Sequence, residues 1–117
     1  MSQVDLIKMN KGNVKTMLTA VSSTTTSAEE RISGYNAVLV TVLINGAGTW
    51  KVDIQGRLDA SGTVMPIVDN NDAPLTTGNL TVSTMKLFVS VPDLITVVAT
   101  EIADGATCTV RIQPLNV

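Results

Sequence analysis

The sequence predicts an all-β fold: a single antiparallel β-sandwich of seven or eight strands. Three observations carry that reading. Valine, threonine and isoleucine make up 40 of the 117 residues, and such side chains are stiff at χ1 and suit a pleated surface. Short apolar runs recur at roughly ten-residue spacing, separated by Gly, Asn, Asp and Pro signals. Only 15% of residues are charged against 44% hydrophobic, so a core can form, and disorder is excluded for most of the chain. The length suits one domain over 1–117, with residues 1–13 as an N-terminal arm.

Each element follows from local pattern. Val14–Val21 is apolar and β-branched and reads as a strand. Ser22–Ser27 is a polar loop. Ser27-Ala-Glu-Glu30 matches a capping box, but Ser33-Gly34 leaves room for one helical turn at most. Tyr35–Ile44 is a near-continuous apolar run, the signature of a central strand covered on both faces. Asn45-Gly46 signals a tight turn. Thr49–Leu58 then alternates, with Trp50, Val52 and Ile54 on one face and Lys51, Asp53, Gln55 and Arg57 on the other. These two strands predict a hairpin.

Further strands are expected at Thr63–Val68, Asn79–Ser83 and Thr84–Val91, the last with Met85, Leu87, Val89 and Val91 on one face. Leu94–Ile102 and Ala106–Leu115 complete the set, broken by Asp104-Gly105. Short strands with irregular face patterns favour two packed sheets over a closed barrel. Sheet edges are a liability for so weakly charged a chain, and oligomerisation is one way to cover them.

What is missing limits function. The chain has no histidine, which removes Ser-His-Asp and Cys-His catalysis, the commonest general base and the commonest zinc ligand. Cys108 stands alone, so no intrachain disulfide forms, and its alternating neighbours predict a buried structural thiol. No residue is assigned a catalytic role, and the expectation is a protein that is not an enzyme. Met1–Lys15 is polar with no apolar signal region, and no apolar stretch approaches the ~20 residues of a membrane helix. The expected place is the cytoplasm. The net charge of −2 and three aromatics disfavour nucleic-acid binding.

Two groups of residues are candidate sites. Asp69 and Asp72, in the run Asp69-Asn-Asn-Asp72, offer oxygen ligands to a hard cation such as calcium, though the EF-hand spacing is absent. The loop aspartates Asp59, Asp93 and Asp104 would join them if sandwich loops converge at one end. Turn preference is the favoured account of these residues, ahead of a cation site. Lys8, Lys11 and Lys15 cluster against Asp5 alone and are candidates for contact with an anionic membrane surface. Trp50 shares its face with Val52 and Ile54, which makes it a core residue before a membrane anchor. Glu29 and Glu30 are adjacent and point apart, so they do not form a hydrolytic pair.

Three stretches carry a resemblance: SGYNAVLVTVLING (Ser33–Gly46), GTWKVDIQG (Gly48–Gly56) and DGATCTVRIQPLN (Asp104–Asn116). Together they resemble small phage-encoded β-sandwich proteins, the XepA-like prophage lytic-cassette proteins, of which this chain matches only the C-terminal domain. The resemblance implies a C2-domain-like sandwich and a disc-like homopentamer with a central opening. It also implies an accessory role in host cell lysis, with contact at the inner face of the cytoplasmic membrane. Calcium-using C2 domains hold the ion with loop aspartates, but no C2 motif aligns with Asp69 and Asp72, so no cofactor is carried over. A virion structural module, such as a decoration or tail-associated protein, is the alternative, because such proteins share this Thr- and Val-rich, His-free composition.

Overall fold

The computed structural model describes residues 11–32, 34–67, 80–89 and 91–117. Among them are nine strands: β1 Lys15–Val21, β2 Thr25–Thr26, β3 Glu30–Arg31, β4 Ala37–Gly46, β5 Thr49–Arg57, β6 Met65–Pro66, β7 Thr84–Val89, β8 Leu94–Ala103 and β9 Ala106–Leu115. β2 and β3 have two residues each, too short for alternation to reveal, and β6 Met65–Pro66 falls within the strand expected at Thr63–Val68. All pairings are antiparallel. The first sheet has the order β1-β9-β4-β7; the second has β2-β8-β5-β6, with β3 also on β8.

The alternation expected of β5 and β9 is present. Trp50, Val52 and Ile54 point inward from β5, and Cys108, Val110 and Ile112 from β9. Val38, Val40 and Val42 of β4, Phe88 of β7 and Ile95, Val97 and Ala99 of β8 meet them in one core. Burying such side chains contributes roughly 1.5–3 kcal/mol each before entropy is counted.

The predicted hairpin does not form. β4 pairs with β9 and β7 in the first sheet, whereas β5 pairs with β8 and β6 in the second. The chain crosses between sheets at Gly46–Gly48, and again at Ala103–Ala106. These crossings lie side by side: Gly46 is opposite Ala106, Thr49 is opposite Ala103, and the Ala47 N–H donates to the Gly105 carbonyl at 3.1 Å. Glycine permits this approach. A Cβ on Gly48 would lie 2.6 Å from the Ala106 nitrogen and 2.7 Å from the Ala103 oxygen. Gly46 also has φ +123°, a region L-residues avoid. Asn45-Gly46 and Asp104-Gly105 are turns, as read, but each turn changes sheet.

Other expectations need correction. β4 is central, but only one of its faces is covered: Leu39 and Thr41 are half-buried and Leu43 is exposed. The Ser27 pattern caps no helix. Its backbone N–H donates to the Val97 carbonyl and its hydroxyl accepts from the Val97 N–H at 2.9 Å, so it extends the second sheet. Of the strand expected at Asn79–Ser83, Leu80 makes a single bridge to Trp50; Asn79 lies outside the described residues. Val68, the end of another expected strand, lies outside them too. The chain segment ahead of β1 lies along β9, where the Gly12 N–H donates to the Pro114 carbonyl at 2.7 Å.

Candidate assembly face and corner pocket

The sandwich has two unlike outer faces. On the second sheet, β5 turns Lys51, Asp53, Gln55 and Arg57 outward, a mixed-charge surface suited to water. On the first sheet, β9 turns Thr107, Thr109, Arg111 and Gln113 outward. Beside them β4 presents Leu39, Thr41 and Leu43, and β7 presents Met85 and Leu87. Register joins these into rows: Leu39 lies between Gln113 and Leu87, and Thr41 between Arg111 and Met85. Met85 is 63% exposed, Leu87 43% and Leu43 37%. Phe88, not this row, turns into the core. Arg111 is the one charged residue at the outward positions of these strands.

The carboxylates at the far end of the sandwich are engaged. Glu29 accepts two hydrogen bonds from the Arg57 guanidinium, at 2.7 and 2.8 Å. That fork holds the Glu29 carboxyl below its usual range. Glu30 pairs with Lys15 at 2.9 Å and Asp93 with Arg31 at 3.8 Å. Asp59 accepts from the Ser61 hydroxyl and backbone N–H, and the hydroxyl bond is the first cause of its lowered pKa. Glu29 and Glu30 thus point to different partners, as their adjacency requires.

Glu101 and Asp104 differ. With Ser22, Asn45, Gly105, Ala106 and Thr107 they line an open pocket of about 330 Å³ beside the glycine corner. Among the described residues neither carboxylate forms an ion pair.

The sequence-derived candidates fare unevenly. Asp69, Asp72 and Lys8 lie outside the described residues. Lys11 is exposed and bridges to Leu115. Lys15 is not an isolated cation, because Glu30 takes its charge. Asp59 and Asp93 lie at the end where Arg57 faces Leu94, and Asp104 lies at the opposite end of β8, so these three do not converge. Among the described residues no group of three metal-ligating side chains comes together, and no helix is long and apolar enough to cross a membrane. Cys108 is fully buried, which pushes its thiol up to about 11. Arg111 and Glu101 escape sequence reasoning, because only register sets Arg111 beside Thr41 and only the corner brings Glu101 near Asp104.

Fold and site define an antiparallel β-sandwich with one apolar, sparsely charged outer face. Among solved structures, the crystal structure of SPBc2 prophage-derived protein YomS is similar. It has a TM-score of 0.57 at 12% identity, covering 88% of this chain and 92% of that one. No protein-family model matches the chain, and no curated protein does. The phage-type sandwich expected from sequence thus has a prophage-derived structural neighbour, and the likeness is one of fold.

Proposed function

We propose that this chain is a non-enzymatic, prophage-type module that assembles with copies of itself into a ring, a pentamer by resemblance, and acts as an accessory of host lysis at the cytoplasmic membrane. The observation that carries self-assembly is the outer face of the first sheet, where Leu39, Leu43, Met85 and Leu87 surround Thr41, with Arg111 alongside. Burying these side chains against another copy removes them from water at roughly 25 cal/mol per Å². The non-enzymatic reading is supported by the lack of histidine and by the engagement of Glu29 and Glu30 in ion pairs. The lytic role rests on the sequence resemblance, with a prophage-derived fold neighbour beside it.

Light scattering and native mass spectrometry at micromolar concentration test the assembly. A pentamer mass is expected; a monomer overturns it. Deleting the coding sequence from an inducible prophage tests the role. Delayed or incomplete lysis supports it. An unchanged lysis curve, with the chain found in purified particles, replaces it with the virion module.

A further inference from the structure

We infer that copies of this chain join head to tail, the Arg111 face of one receiving the corner pocket of the next, with Arg111 opposite Glu101 and Asp104. This rests on the self-assembly proposed above and assigns its contact. The partner is a second copy, argued from charge complementarity between an apolar face and a concave corner of the same chain. Arg111 is exposed on an apolar sheet face and has no carboxylate partner among the described residues. Glu101 and Asp104 line an open pocket and have no cationic partner there. The carboxylates Glu29, Glu30 and Asp93 already hold cations of their own chain.

The two surfaces are separate on one chain. Arg111 stands four residues, about 13 Å, along β9 from Thr107, which lines the pocket. When the corner of each copy goes to the Arg111 face of a different neighbour, the contact is heterologous and closes into a ring where the rotation allows. Leu43, Met85 and Leu87 then supply the apolar area, and the charges fix register.

Charge reversal tests this in the full chain. Arg111→Glu, and separately Glu101→Lys with Asp104→Lys, are each expected to lower the mass from the assembly to the monomer. Combining all three restores opposite charges and is expected to return the assembly mass. Trp50 fluorescence reports folding of each variant. If Arg111→Glu does not fold, Arg111→Gln replaces it and is expected to weaken assembly at least tenfold. A wild-type monomer overturns self-assembly itself. A wild-type assembly whose reversed variants keep full mass overturns only this contact. Dissociation that the combined variant does not repair also overturns the pairing.

Discussion

The indole N–H of Trp50 donates to the Ala106 carbonyl oxygen at 3.1 Å inside the core. Trp50 lies near the start of β5 in the second sheet and Ala106 begins β9 in the first, so this bond ties the two sheets at the corner. Trp50→Phe keeps most of the apolar volume and removes the donor. The expected cost is about 1–3 kcal/mol, since a buried carbonyl loses a partner. Trp50→Ala is expected to cost about 3–5 kcal/mol. Urea unfolding, followed by far-UV circular dichroism, measures both.

Gly48→Ala is expected to destabilise by about 3 kcal/mol, the upper end of overpacking. Its added Cβ meets backbone on two sides, the Ala106 nitrogen and the Ala103 oxygen, and neither can rotate away. Gly62→Ala, whose Cβ finds nothing nearer than 3.4 Å, is the control. Equal melting temperatures for the two variants would contradict the stacked corner.

Ala20 sits at φ 43° within β1, between the Leu18–Val110 and Val21–Cys108 pairs. Its N–H donates to the Thr109 hydroxyl at 2.9 Å, which holds the bulge in place. The left-handed region costs an alanine about 1–2 kcal/mol, and glycine loses part of that gain through its freer unfolded chain. Ala20→Gly is therefore expected to raise stability by about 0.5–1 kcal/mol, read by calorimetry as a melting point a few degrees higher.

Cys108 predicts an alkaline limit. Burial raises the thiol from 9.0 to about 11, so the folded state holds its proton where the unfolded state has released it. The stabilisation is complete below pH 9 and fades as pH rises toward 11. Cys108→Ala is expected to be less stable at pH 7 and to lose less on going from pH 9 to 11. Melting curves at the two pH values, compared with wild type, decide it.

Glu29 predicts the opposite limit. Arg57 lowers its pKa below 4.5, so its contribution is present above that pH and is lost as pH falls through the folded value. Glu29→Gln is expected to be less stable at pH 7 and to show a shallower acid dependence below pH 4.5. An unchanged acid limb in a urea titration series would show that the pair adds nothing.

Much of the fold is legible in the residues. The alternation of Thr49–Arg57 and Ala106–Leu115 assigns each inward side chain, because a strand has two faces and the pattern marks one as apolar. It cannot assign β7, since Met85, Leu87 and Phe88 make both faces apolar; packing sends Phe88 inward and leaves the other two outside. It cannot separate a hairpin from a crossing at Gly46–Gly48, because either places two apolar stripes against a core.

Residue types and their spacing suffice for the fold class, the core identity of Trp50 and Cys108, and the exclusion of histidine chemistry. Those properties depend on residue type and on a period of two. Tertiary structure decided which strands pair, which carboxylates are engaged, and that Arg111 stands on an apolar face away from an acidic corner. Such relations join residues far apart in the chain, and only the registers of β4 and β5 against β9 and β8, locked by the glycine corner, bring them into place.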